Sequence, residues 1–258
     1  MTGDARSVIR RSRRGITYGR RGSGPAVVLV HGWCLDRTVW LYVEDDLIQA
    51  GFTVITPALA GYGASSDLLA PQSLSEHGSD LADLLDELDL TGVILCGFAF
   101  GAAVIMSMPD YGRAAGIVSV GIPSAREAKY TRMPAAMRRD WPLFAQRSAT
   151  AIVSGSHSDA ALAWLERVFA STPLDSALVG VEILSVFEPE DVEQSWSSAS
   201  LFVHGSDDPI VPSSVSARCA ERFAGRYVEV ADCGHFVPMD QPKALSDALV
   251  AFAGELPV

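Results

Sequence analysis

What this chain lacks narrows it before any motif is read. Cations are scarce: 20 lysines and arginines face 31 aspartates and glutamates in 258 residues, a formal charge of −11. That balance argues against a nucleic-acid binder, whose affinity rests on cations that displace condensed counterions from phosphates. No run of eighteen apolar residues occurs, so no segment reads as a membrane-spanning helix. No secretory signal is expected either, because Gly15 follows the early arginines at once and "AVVLV" is too short for an apolar signal core. These absences predict a cytoplasmic protein that binds neither nucleic acid nor membrane. Cysteine is sparse, and Cys34, Cys96, Cys219 and Cys233 show no C-x-x-C spacing and no clustered histidines. The expectation is four reduced, buried thiols and no metal site.

What is present is apolar bulk, 48% of the chain, enough for one large core carrying one insertion. The exception to the acidic balance is the start, where Arg6, Arg10, Arg11, Arg13, Arg14, Arg20 and Arg21 crowd together. Their alternating context predicts an exposed hairpin rather than a basic arm. Continuous apolar runs at 26–30, 52–56, 92–96, 116–121, 201–205 and 226–230 read as strands. Between them, Leu81, Leu84, Leu85 and Leu88 fall at helical spacing, and a last helix opens near Pro242 with Leu245, Leu249 and Phe252 on one side. Strands alternating with helices predict an α/β fold, a mostly parallel doubly wound sheet with its site beyond the carboxyl ends of the strands. The alternation breaks over 124–198, which reads as a helical cap between core segments 1–123 and 199–258. Within it, Thr172 is expected as an N-cap and Pro173 as a first helical residue.

The most informative absence is a hydroxyl. In "VILCGFAFGAAV" (93–104) an apolar run enters a G-x-x-x-G turn and then a small-residue helix, the layout of a nucleophile elbow, yet Ala99 holds the central position. Three further features each follow a predicted strand: "VHGW" (30–33), "HGSDDPIVP" (204–212) and "CGHFVP" (233–238). In this order they resemble the α/β-hydrolase fold family over essentially the whole chain. The resemblance implies that Asp208 orients His235, that His235 is general base and then acid, and that the Phe100 and Trp33 amides form an oxyanion hole. Asp207 is the alternative acid by register, and no carboxylate stands directly after "GIVSVG". A fainter likeness, in "HGWCLDRTVW" and "VEILSVF", is to the pimeloyl-carrier-protein methyl esterases.

Other residues divide between site and scaffold. Phe98, Phe236, Trp33 and Phe100 are expected to line an apolar slot, with Trp141 and Trp164 contributing from the cap. His31 reads as a loop brace, His204 as a strand-end residue, and His77 and His157 as solvent-exposed. Arg126, Lys129, Arg132, Arg138 and Arg139 read as a solvated cap face. Cys96 lies inside a strand and Ser65 in another loop, which leaves Cys34 as the alternative nucleophile. Ala99 admits three explanations: a serine replaced by alanine in a hydrolase that then binds but barely turns over its substrate; a natural His235–Asp208 pair abstracting protons as a lyase or cofactor-free oxygenase; or a non-catalytic binding protein. The expected partner is a small apolar molecule. Neither catalytic reading requires a cofactor, and oligomeric state stays open.

Overall fold

The computed structural model describes residues 8–126, 130–193 and 196–256. Arg6 and Lys129, two of the cations singled out above, lie outside them. Eight strands form the sheet: β1 (Val8–Arg11), β2 (Thr17–Gly22), β3 (Ala26–Val30), β4 (Thr53–Pro57), β5 (Val93–Phe98), β6 (Ala114–Val120), β7 (Ala199–Gly205) and β8 (Arg226–Val230). Their order is β1-β2-β4-β3-β5-β6-β7-β8. Every pairing from β4 to β8 is parallel, whereas β2 runs antiparallel to both β1 and β4. The apolar runs are those of central strands covered on both faces. All of "AVVLV" in β3 and all of "VILCGF" in β5 are buried.

Among the described residues the basic start is the β1–β2 hairpin, and carboxylates meet three of its arginines. Arg11 pairs with Asp67, Arg14 with Asp80 and Asp83, and Arg21 with Glu44 and Asp45. Helices α1 (Leu41–Gln49), α2 (Leu74–Glu87) and α3 (Phe100–Met106) cross between the first strands. Ser73 caps α2 by accepting the Glu76 amide, and Leu81, Leu84 and Leu85 are buried at the predicted spacing.

Between β6 and β7 the chain runs through α4 (Met133–Arg139), α5 (Trp141–Ala151), α6 (Asp159–Ala170) and α7 (Leu174–Leu184). The start of α7 lies one residue later than expected: Pro173 is the cap. Thr172 instead closes the end of α6, its amide donating to the Phe169 carbonyl. After β7 come α8 (Ser214–Arg222), α9 (Val237–Asp240) and α10 (Pro242–Ala253), the last burying Leu245, Leu249 and Phe252. The carboxyl ends of β3, β5, β7 and β8 all open on one edge of the sheet, and the segments leaving them carry Trp33, Ala99, Asp208 and His235. Among the described residues, no helix is long and apolar enough to cross a membrane.

Candidate active site

The turn from β5 to α3 is a single residue, Ala99, at φ 47° and ψ −110°. A residue with a Cβ pays roughly 1–3 kcal/mol to sit in such a region, so the surroundings must enforce it. They do. The Ala99 amide donates to the Val120 carbonyl at 2.8 Å, while its own carbonyl accepts the Ala102 and Ala103 amides. The flanking glycines are there for close approach. A Cβ at Gly97 would stand 2.4 Å from the Gly101 carbonyl carbon, and one at Gly101 would stand 2.3 Å from the Val30 oxygen. Helix α3 can therefore fold back hard against β5 only with glycine at 97, and start hard against the end of β3 only with glycine at 101.

Asp208 and His235 meet. His235 Nδ1–H donates to Asp208 Oδ2 at 2.7 Å, with the carboxylate fully buried and the imidazole nearly so. Asp208 Oδ1 accepts the amides of Ile210 at 2.7 Å and Val211 at 3.0 Å, which fixes the carboxylate within its own turn. Burial works to raise the Asp208 pKa, but the His235 charge and the hydrogen bonds from His204 and His235 outweigh it and hold the group well below the usual carboxylate range. The register alternative, Asp207, is exposed. His235 Nδ1 is thus committed to Asp208, and Nε2 is the ring nitrogen left for a substrate or nucleophile. The ring rests on Phe98, centroids 5.3 Å apart.

Asp208 also binds a residue that sequence reading assigned only to a strand end. His204 Nε2 lies 2.8 Å from Asp208 Oδ2, and its Nδ1 lies 2.7 Å from Ser216 Oγ. The one advance signal was position: His204 stands four residues before the acid, at the buried end of β7. Tyr130, also unanticipated, lines the cavity close enough to feel the Asp208 charge. Burial first, then Asp208 and Glu188, push its hydroxyl pKa far up.

His31 is the expected brace. Its Nδ1–H donates to the Gly32 carbonyl at 2.8 Å and its Nε2 accepts the Leu59 amide at 3.0 Å, holding the loop that carries Trp33. The Trp33 indole donates to the Ala177 carbonyl at 2.9 Å and packs edge-on against Phe144 and Phe169, tying this loop to the helices above. Phe100 is the first residue of α3, where an amide has no intrahelical acceptor.

A cavity of about 540 Å³ opens over these groups. Trp33, Phe98, Ala99, Phe100, Asp208 and His235 all line it, with an apolar roof that includes Met133, Ile152 and Leu184. Three predicted lining residues do not. Phe236 is wholly buried, stacked against Phe98 at 5.2 Å on its core side. Trp141 stacks on Phe144, and its indole donates to the Thr172 carbonyl. Trp164 packs against the core from α6. All three serve packing between elements.

Two histidines expected in solvent are not there. His77 is 1% exposed on the apolar face of α2, because Leu74, Leu81 and Leu84 share that face. His157 Nε2 lies 2.8 Å from the buried Asp240 Oδ1. Asp240 also accepts the amides of Ser154 and Gly234, joining the α5–α6 connection to the loop of His235. All four cysteines are free and buried, and desolvation pushes the Cys34 thiol far up, which suits an inert core group.

A sheet edge that presents a strained elbow, a buried carboxylate and a histidine in this chain order defines a hydrolase scaffold. The comparisons agree, and this chain belongs to the alpha/beta hydrolase family, whose profile matches residues 27–248. Among relatives, a pimeloyl-[acyl-carrier protein] methyl ester esterase of Nitrosomonas europaea is 28% identical over 83% of this chain and 90% of its own. An uncharacterised protein of Mycobacterium tuberculosis is 40% identical, but over 33% of this chain and 25% of its own, so the match spans a quarter of that relative. Among solved structures, a bromoperoxidase of Bacillus anthracis superposes with a TM-score of 0.87 at 20% identity, covering 97% of this chain and all of the other. That likeness speaks to the fold.

Proposed function

We propose that this chain is a carboxylic-ester-type hydrolase scaffold lacking its nucleophilic oxygen, which binds a small apolar ester, lactone or thioester and barely turns it over. The observation that carries this reading is Ala99 held at φ 47° on the cavity floor with the Asp208–His235 pair beside the same cavity. A serine hydroxyl at position 99 would give its proton to His235 Nε2 as its oxygen bonds to the substrate carbonyl carbon. The Phe100 and Trp33 amides would take up the oxyanion. Collapse of that intermediate would expel the leaving group with the His235 proton, and water would then release the acyl group by the same steps. With a methyl group in place of the hydroxyl, the first bond cannot form, while the cavity and oxyanion donors still hold the substrate.

The test is Ala99→Ser. It adds one oxygen to a backbone that already has the required conformation, so hydrolysis of a short p-nitrophenyl ester should rise by about a million-fold. A fluorophosphonate should label the variant and not the parent. A folded variant that neither turns over nor labels overturns the reading. The intact pair in a chain without a nucleophile supports one alternative, proton abstraction from a carbon acid by His235 alone. That alternative requires activity in the parent chain, abolished by His235→Ala.

A further inference from the structure

Asp208 receives two imidazoles on one oxygen. His235 Nδ1 lies 2.7 Å and His204 Nε2 lies 2.8 Å from the same Oδ2. The proton positions on His204 follow from its neighbours. Nε2 faces two acceptors, Asp208 Oδ2 and the Val211 carbonyl at 3.0 Å, so it carries a proton. Nδ1 faces the Ser216 hydroxyl on α8, which can donate to it. His204, Asp208 and Ser216 are all buried with their polar atoms turned to one another. Such an arrangement is more than a space-filling strand end needs, since an apolar residue would fill the same place without three polar groups to satisfy.

We propose that His204 is a positioning residue of the site, which sets through Asp208 how strongly His235 holds a proton. The carboxylate itself is fixed without His204, because Oδ1 accepts the Ile210 and Val211 amides. What His204 changes is charge. Its N–H draws on the oxygen that stabilises protonated His235, so Asp208 attracts the His235 proton less than a carboxylate with one imidazole would. A base restrained in this way releases its proton to a leaving group more readily. The other titratable groups around the pair are Tyr130 across the cavity, Glu188 near it, Glu229 beside His204, and Asp207 and Asp240 near Cys233. A substitution at 204 leaves all of them in place.

The inference rests on His235 and Asp208 being the working pair, yet its test needs no turnover. The His235 ring is titrated by carbon-13 NMR in the full chain with Ala99 retained, for the parent and for His204→Phe, His204→Gln and Ser216→Ala. In His204→Phe the His235 midpoint should rise by about one pH unit, roughly tenfold tighter proton binding, as expected for loss of a charge-assisted hydrogen bond. Gln places an N–H near the position of Nε2 and should restore most of the parent value. Ser216→Ala weakens His204 as a donor and should raise the midpoint by less. An unmoved or lowered midpoint in His204→Phe overturns the proposal. If that variant does not fold, Ser216→Ala decides: a rise supports the proposal and no change overturns it. Failure of the hydrolase reading shows separately, as an inactive Ala99→Ser variant whose His235 still titrates as described.

Discussion

Replacing His77 with leucine should make this protein more stable, and most of all in acid. The side chain is 1% exposed on the buried face of α2, edge-on to Phe100 at 5.3 Å, and neither ring nitrogen has a hydrogen-bond partner. A buried polar group without a partner costs about 1–3 kcal/mol, so leucine, of similar size, should gain about that much at pH 7.5. The acid term adds to it. Desolvation, with a smaller contribution from His31, lowers the His77 pKa from 6.5 to about 3. Above pH 6.5 the ring is neutral in both folded and unfolded chains and no proton linkage exists. Between pH 6.5 and about 3 the unfolded chain takes a proton that the folded chain cannot, so stability is lost as pH falls and the full loss is reached below the folded value. At pH 5 the loss through this residue is about 2 kcal/mol. Urea unfolding followed by tryptophan fluorescence at pH 7.5 and pH 5 measures both terms. His77→Leu should exceed the parent at both, with the gap wider by about 2 kcal/mol at pH 5. A gap that does not widen in acid would refute a neutral His77 in the folded state. A variant no more stable than the parent at pH 7.5 would refute the unpaired nitrogens.

Two further expectations concern the scaffold of the site. Gly101→Ala puts a Cβ 2.3 Å from the Val30 oxygen and 2.6 Å from the His31 oxygen, both backbone atoms with no rotamer to yield. It should cost about 3 kcal/mol in urea unfolding, and a cost under about 0.5 kcal/mol would refute the close packing of α3 on β3. Asp240→Ala strips acceptors from the Ser154 and Gly234 amides and from His157. A loss of about 3 kcal/mol should follow, with faster hydrogen exchange at both amides; parent-like exchange would show that the carboxylate does not hold the His235 loop.

The parts of the site that sequence reading finds are those in which a short stretch of backbone dictates residue type at fixed spacing. Gly97 and Gly101 are set by atoms that a Cβ would strike. Asp208 is set by a turn in which its own Oδ1 takes the amides two and three residues on. What escapes is what depends on how distant segments pack. Phe236, Trp141 and Trp164 are apolar and near the right loops, but only the packing of the helices against the sheet decides which rings reach the cavity. His77 fails differently. The spacing of Leu74, Leu81 and Leu84 already puts it on the buried face, and its polar side chain argues against that periodicity and loses. His204 is hidden because its partners, Asp208 and Ser216, come together only when α8 folds back on β7.

Ala99 combines both cases. Its side chain denies a nucleophile, and nothing about alanine favours φ 47°. The conformation is imposed by its neighbours, through two glycines chosen for close approach and a hydrogen bond to Val120 on the adjacent strand. The two glycines are legible in the sequence and announce a tight turn, whereas the hydrogen bond to Val120 and the residue bearing the strain give no sign there. A chain that needed only a turn between β5 and α3 could make one at lower cost with glycine at 99 itself. Under the proposed function, a Cβ kept there, on a strained backbone and lining a cavity shared with His235, fits a position that would carry a reactive atom one bond further out.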